Sequence, residues 1–156
     1  MLPSTAATKF LETLQVPEGK LAGRPLKLAP FQRRFVKGAF AKGINIGVLS
    51  VGRGNAKTGL SSGLALGALL GRWDDQPRRE ILVAARTQNQ AKIVYQFVAG
   101  FVRSLPDELQ RQFVFRRSPR LEIEFADEHI IKCVPADGKT VLGTAPNLVI
   151  MDERAA

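Results

Sequence analysis

The stretch "SVGRGNAKTGL", from Ser50 to Leu60, decides how the rest of the chain is interpreted. It follows the apolar run "INIGVLS" and precedes "TGLSSGLALGALLG", a run of small and aliphatic residues. Phosphate-binding loops are built in a fixed order: a buried strand, a glycine-rich turn, a lysine followed by a hydroxyl residue, and then a helix. The sequence therefore predicts a buried strand over Ile44–Ser50, a phosphate loop over Val51–Ala56, and a helix after Lys57 and Thr58.

Two positions of this loop depart from the strict pattern G-x-x-x-x-G-K-S/T. Val51 and Ala56 stand where the pattern has glycine. Gly52 and Gly54 can supply the flexible backbone one and three residues later than Val51. Alanine at position 56 adds only one methyl group relative to glycine, although a non-glycine residue in the left-handed region costs about 1 kcal/mol or more. On this loop alone, a nucleotide site and a glycine-rich turn that happens to hold a lysine are both open interpretations.

A second stretch, "NLVIMDE", favours the nucleotide site. It reads as a third buried strand that ends in Asp152 and Glu153, which is the form of a Walker B element. Asp152 would order magnesium through water and Glu153 would polarise the attacking water. The lysine loop and this acidic pair each follow the C-terminal end of a predicted strand, at the edge where open α/β sheets bind ligands. The alternative is a solvated pair of acids at a strand end.

The remaining patterns complete a fold prediction. "REILVAA" is a buried strand, and Thr87 and Gln90 stand at N-cap and N3 spacing before an amphipathic helix. Alternation in "FVFRRSPRLEIEFADEHIIKCVP" predicts antiparallel strands with a turn near Asp127 and Glu128. The predicted class is α/β: a P-loop NTPase with a mainly parallel sheet flanked by helices, plus an antiparallel hairpin, with the sheet incomplete at its C-terminus.

Composition narrows the class of protein and of partner. The chain has 156 residues, which suits one domain, and a net charge of +9, which favours an anionic partner such as nucleic acid. Cys133 is the only cysteine, so no internal disulfide can form and a reducing compartment is expected. Together with the single His129 it cannot build a zinc site. No apolar run is long enough for a membrane span and no secretory signal is present, so we expect a cytoplasmic protein.

Arginines form three basic clusters along the chain. A protein that binds nucleic acid of any sequence should contact phosphates rather than bases, and these clusters could supply such contacts. They could equally be interfaces with neighbouring subunits, and the sequence does not decide between the two. The clustered residues are Arg33, Arg34, Arg78, Arg79, Arg116, Arg117 and Arg120.

Four segments, taken in order, resemble the ATPase domain of the large terminase subunit of tailed bacteriophages. They are "PFQRRFV", "VGRGNAKT", "ILVAARTQNQAK" and "NLVIMDE", and they span about residues 30 to 153. The last two are shared with helicase-like ATPases, whereas "GRGNAKT" is more specific to terminases. Phosphate loops in that family often deviate from the strict pattern and carry an arginine four residues before the lysine, the place of Arg53 here. Ala56 stands where members of the family usually have glycine.

The resemblance implies an ATP-driven motor that feeds double-stranded DNA into a preformed capsid. It further implies ATP and Mg²⁺ as cofactors, the terminase small subunit and the capsid portal as partners, a homo-oligomeric ring, and the cytoplasm of a bacterial host as the location. Carried over by position, Arg53 would stabilise the γ-phosphate, Gln32 would read the adenine edge, and Glu153 would activate water. Magnesium would be held by Thr58 and Asp152. The nucleotide-contacting loop would comprise Gly52, Arg53, Gly54, Asn55, Ala56, Lys57 and Thr58.

The family's large subunit continues beyond the Walker B strand into a coupling motif and a nuclease domain. This chain stops three residues after Glu153, so residues 1–156 are expected to be an N-terminal ATPase domain truncated after that strand, with an unfinished sheet and bare edges. We expect nucleotide affinity to persist in such a fragment, and sustained turnover and cleavage to be lost. Two other functions stay open on the sequence: a helicase-like ATPase, and a basic nucleic-acid-binding module without catalysis.

Overall fold

Strand β1 (Glu80–Ala85) is flanked on both sides by parallel strands in this computed structural model, which describes residues 1–44, 46–49, 57–117, 119–135 and 146–152. All of β1 except its first residue is buried. The other strands of the described sheet are β2 (Phe113–Arg116), β3 (Leu121–Phe125), β4 (His129–Pro135) and β5 (Leu148–Asp152). Their order across the sheet is β2-β3-β4-β1-β5.

The strand directions confirm a mainly parallel sheet with an antiparallel hairpin. Strands β4 and β5 pair parallel with β1, whereas β3 pairs antiparallel with both β4 and β2. Strand β2 therefore points the same way as β1, and among the described strands only β3 is reversed. The turn between β3 and β4 contains Ala126 and Asp127 at φ of 56° and 57°, where the sequence predicts a turn.

Five helices are described, and two of them pack on the sheet. They are α1 (Pro3–Thr13), α2 (Pro30–Ala39), α3 (Lys57–Leu69), α4 (Gln88–Val102) and the short α5 (Asp107–Gln110). Helices α3 and α4 pack on each other and on the strands, and α1 packs on α2 and α3. Thr87 caps α4 as predicted, since its Oγ1 accepts a hydrogen bond of 3.1 Å from the Gln90 N–H. No helix in the described ranges is long and apolar enough to cross a membrane.

The glycines of α3 permit close contact with α1, on a helix that also packs against the sheet. A Cβ on Gly67 would lie 2.5 Å from the Trp73 ring and 2.9 Å from Phe10, and a Cβ on Gly63 would collide with Leu11. Each glycine lowers helix propensity by about 1 kcal/mol relative to alanine. The low intrinsic helix propensity of α3 is thus offset by burial against a second helix.

The prediction of a buried strand over Ile44–Ser50 is wrong for its described residues. Positions 44 and 46–49 lie outside every strand, and Ile46 and Val48 are each 83% exposed. Strand β1 already has β4 and β5 as neighbours, and neither described edge of the sheet pairs with this segment. An apolar run forms a strand only where a neighbouring backbone accepts and donates hydrogen bonds. The apolar character of this segment is therefore not sufficient to make it a strand.

Strand β5 forms where it is predicted, but it is less buried than predicted. It pairs with β1 from Leu148 to Asp152, while Val149 is 43% exposed and Met151 is 56% exposed. Strand β5 has β1 as its single neighbour within the described sheet, so the side chains of Val149 and Met151 are covered from one side only. In a strand with a neighbour on each side, the same side chains would be buried.

Arg79 is a buried cation that holds the C-terminal end of α3. It is 8% exposed, its Nε and Nη2 donate to the Leu69 carbonyl at 3.1 and 3.0 Å, and its Nη1 donates to the Gln76 carbonyl at 2.8 Å. Gly71, at φ of 71°, lets the chain pass close by, because a Cβ there would lie 2.9 Å from the guanidinium carbon. A cation at a helix C-terminus also interacts favourably with the helix dipole. Arg79 therefore fixes the end of α3 against the start of β1, and it is not a surface contact for DNA.

His129 makes the stability of this corner depend on pH. Its Nδ1 accepts the Arg79 backbone N–H at 3.0 Å, which requires the neutral ring. Burial, together with the positive charge of Arg79, lowers the pKa of His129, and the Glu128 carboxylate 3.7 Å from Nε2 opposes this only in part. A lowered folded-state pKa gives stability that is complete above the unfolded pKa of about 6.5 and is lost as the pH falls below it.

We therefore expect the free energy of unfolding to fall as the pH is lowered below about 6.5, by up to about 1.4 kcal/mol per pH unit from this residue. His129→Gln should flatten that part of the profile, because glutamine can accept the same hydrogen bond but does not titrate. Urea unfolding at several pH values measures the effect. An equally steep profile in the variant would show that other groups carry it.

Candidate nucleotide-binding site

The parallel strands end together at one edge of the sheet. Ala85, the last residue of β1, is in register with Pro135 of β4 and with Asp152 of β5. Helix α4 begins three residues after Ala85, so its N-terminal end lies at the same edge. In open α/β sheets this is the edge at which ligands bind.

The direction of α3 brings Lys57 and Thr58 toward that edge. Arg79 holds Leu69, the last residue of α3, beside the start of β1, and the helix packs along β1 and β5. A helix of 13 residues is about 20 Å long at 1.5 Å per residue, and six strand residues extend about as far at 3.3 Å each. The first turn of α3, which begins with Lys57, therefore lies toward the C-terminal ends of the strands.

The described members of the predicted site have the following positions. Lys57 and Thr58 are the first two residues of α3 and are half-buried, and Asp152 is the last residue of β5. The exposed N–H groups and dipole of a helix N-terminus attract anions, so a lysine there adds to an existing positive potential. The other predicted loop and catalytic residues lie outside the described ranges: Gly52, Arg53, Gly54, Asn55, Ala56 and Glu153.

Gln32 has a structural role that the sequence interpretation missed. It is 5% exposed, and its Oε1 accepts the Ala29 N–H at 2.8 Å, which is the N3-to-N-cap half of a capping box at the start of α2. Proline at N1 is the signal that could have found this role, because it fixes the helix start at Pro30 and puts Gln32 at N3. An amide oxygen has a second lone pair and the amide nitrogen is a separate donor, so capping leaves hydrogen-bonding capacity for an adenine edge.

One further polar group at this end of the sheet is unpaired within the described residues. Gln90 Oε1 is buried and has no hydrogen-bond partner there, although the backbone N–H of the same residue is bound by Thr87. Gln90 lies in the first turn of α4, directly behind the strand ends. The sequence pattern identified it as a capping residue only.

Cysteine and metal chemistry independent of a nucleotide find no support in the described part of the chain. Burial raises the pKa of Cys133 to about 12, so this thiol is protonated and unreactive in the folded protein. No group of three histidine, cysteine or acidic side chains converges within the described ranges. The described features that can recognise a ligand at this edge are therefore the helix N-termini, Lys57 and the neighbouring hydroxyl and amide groups.

Comparison with known proteins gives a consistent assignment. The family model described as "Terminase large subunit, ATPase domain" matches residues 34–156. The chain is 36% identical over 140 residues to the terminase large subunit of Enterobacteria phage HK97, covering 88% of this chain and 27% of that protein. The crystal structure of the HK97 bacteriophage large terminase superposes with a TM-score of 0.82 at 30% identity, covering 98% of this chain and 31% of the solved one.

The chain thus spans about a third or less of the length of these relatives. The family match covers most of the chain and includes the lysine loop and the Asp-Glu strand. It favours a terminase over a helicase-like ATPase and over a basic module with an incidental glycine loop. The fold and the comparisons together show that this chain belongs to the family of terminase large subunit ATPase domains.

Proposed function

We propose that residues 1–156 form an N-terminal ATPase domain that binds and hydrolyses ATP with Mg²⁺, as the motor part of a terminase large subunit that packages double-stranded DNA. The observation that carries this proposal is the shared edge: β5 ends in register with β1 at Asp152, and α3 begins with Lys57 toward the same edge. Membership of the terminase ATPase family supplies the substrate class.

In this proposal each residue has a defined task. Lys57 binds the terminal phosphates, while the backbone N–H groups of Gly52–Ala56 surround the phosphate chain. Thr58 and Asp152 hold magnesium, which would neutralise phosphate charge. Hard oxygen donors such as a hydroxyl and a carboxylate are the ligands that magnesium prefers.

The remaining assignments concern the reacting end and the base. Glu153 orients the attacking water and accepts its proton, and Arg53 stabilises charge on the γ-phosphate. Gln32 contacts the adenine edge through its amide nitrogen and the second lone pair of Oε1. The family further suggests action in the host cytoplasm, with the terminase small subunit and the portal as partners and a ring of identical subunits as the assembly.

A calorimetric titration with a non-hydrolysable ATP analogue tests the proposal. We expect saturable binding that weakens strongly when magnesium is chelated, because Thr58 and Asp152 act through the metal. At an analogue concentration 100 times Kd, the free energy of unfolding should rise by about 2.7 kcal/mol. Absence of saturable binding at millimolar analogue, with magnesium present, would contradict the proposal.

A further inference from the structure

The structure sorts the clustered arginines by what they contact. Arg33 pairs with Glu12 and Arg116 pairs with Glu124, each at 2.6 Å, and Arg79 is internal. Four exposed members of the clusters form no ion pair with any carboxylate in the described ranges: Arg34, Arg78, Arg117 and Arg120. Of these, Arg117 shares a cavity with Arg103, which is likewise exposed and without an ion pair there. Arg103 directly follows α4, and no sequence cluster included it.

These two arginines line the same cavity, which lies between α4 and β2 and has a volume of about 240 Å³. Its walls are largely apolar and include Ala99, Val102 and Phe115. Phe115 lies on β2, at an edge of the described sheet, and is 40% exposed. Among the lining residues that the structure describes, none is acidic.

Tyr95 forms the inner wall of the cavity. It is 1% exposed, and burial raises the pKa of its hydroxyl, while a hydrogen bond with the Arg117 side chain and the charge of that side chain partly oppose this shift. Its ring packs edge-on against Phe115, and the Arg117 guanidinium carbon lies 5.9 Å from the ring centroid. Arg117 is thus held over an aromatic face, so part of the conformational entropy of ordering this side chain is already lost before any ligand binds.

We infer that this cavity binds an aspartate or glutamate side chain presented by a partner protein. Two guanidinium groups line the cavity without a carboxylate to neutralise them in the described ranges, and each arginine can donate two parallel hydrogen bonds to a carboxylate. Apolar walls suit the aliphatic stem of such a side chain. A DNA duplex presents its phosphates along a wide convex surface, and contacts it through extended side chains rather than through a recess lined by apolar groups.

The cavity is separate from the candidate nucleotide site. It lies beside β2, at the edge of the sheet opposite to β5, whereas Lys57 and Asp152 belong to the β1–β5 side. The inference therefore does not depend on nucleotide binding. It adds a protein-docking site to a domain whose proposed substrates are ATP and DNA.

Titration of the protein with the capped peptide Ac-Ala-Glu-Ala-NH2 tests the inference, with Ac-Ala-Gln-Ala-NH2 as the uncharged control. NMR shifts of the arginine Nε–H groups report where each peptide binds. We expect the glutamate peptide to shift Arg103 and Arg117 and the glutamine peptide to shift neither. The double variant Arg103→Gln/Arg117→Gln should weaken binding at least about tenfold, which corresponds to about 1.4 kcal/mol.

Two further variants separate the cavity from general positive charge. Arg111→Gln/Arg120→Gln removes the same charge from exposed positions outside the cavity and should leave binding unchanged. Ala99→Leu fills the cavity, keeps both arginines, and should weaken binding as strongly as their loss. Equal binding of the two peptides, or an equal loss in the Arg111/Arg120 control, would overturn the inference. So would shifts caused by a 12-base-pair DNA duplex but not by the glutamate peptide, since they would make the cavity a phosphate site.

Discussion

Replacing Lys57 with alanine is expected to weaken binding of a magnesium–ATP analogue by about 100-fold or more. The change removes a charge at the start of α3, where the helix dipole already favours an anion. Truncating one partner of a close charge pair costs roughly 2–5 kcal/mol, and each 1.4 kcal/mol is a factor of ten in affinity. Calorimetry on wild type and variant measures the ratio of the two dissociation constants.

Lys9→Ala is the matched control, because Lys9 is an exposed lysine on α1 and the net charge changes equally. It should leave the affinity within about twofold of wild type. Thermal unfolding without ligand should show that both variants remain folded. If Lys57→Ala bound the analogue as tightly as wild type, the glycine-rich stretch would be a structural turn and the proposed site would have to lie elsewhere.

Arg79→Met is expected to lower the free energy of unfolding by about 2–4 kcal/mol. Methionine replaces the aliphatic part of the side chain but cannot donate, so the Leu69 carbonyl loses its guanidinium donors in a buried setting and the Gln76 carbonyl loses its donor in a partly buried one. Each buried acceptor left unsatisfied costs roughly 1–3 kcal/mol, partly offset because a buried charge is no longer desolvated. Urea unfolding at pH 7.5 measures the loss.

Arg78→Met provides the comparison at the adjacent position. Arg78 is exposed, and its described hydrogen bond is made by the backbone N–H to Glu128, which the substitution retains. Its loss should stay within about 0.5 kcal/mol, as for most surface changes. A loss in Arg79→Met no larger than this would mean that the guanidinium contributes little to holding α3.

The elements with a strong local signal could be predicted from sequence. "REILVAA" contains β1, the Thr87 cap starts α4, and the turn at Asp127 joins two alternating strands. In these segments propensity, turn chemistry and burial all favour the same structure. The strand Leu148–Asp152 was also predicted, although its burial was overestimated.

Features that depend on distant residues were not predictable in the same way. The segment with Ile46 and Val48 has the apolar character of a strand, yet sheet pairing depends on a partner that no local pattern specifies. Arg79 belonged to a basic cluster in the sequence, and only the position of Leu69 explains its burial. The sequence alone does not distinguish an arginine that is buried and caps a helix from one that lies on the surface, because the difference depends on tertiary contacts.

The residues of the candidate site likewise divide into those with a local sequence signal and those whose role depends on the fold. Lys57 and Asp152 were predicted from motifs that are local in sequence, and their roles stay proposals. The capping role of Gln32 and the unpaired Gln90 oxygen depend on where helices begin, which the sequence indicates only to within a few residues. The cavity with Arg103 and Arg117 has no sequence signature, because its residues come from α4 and from the end of β2.

The contact between α1 and α3 bears on how this protein can be shortened for experiments. The family match starts at residue 34, yet Phe10, Leu11 and Leu14 are among the buried core residues and lie against the glycines of α3. A version trimmed to the matched region would present that glycine-lined helix surface to solvent and would be prone to precipitate. Recombinant versions meant for calorimetry or NMR should therefore begin at Met1, since the boundary of a homology match is not the boundary of a folding unit.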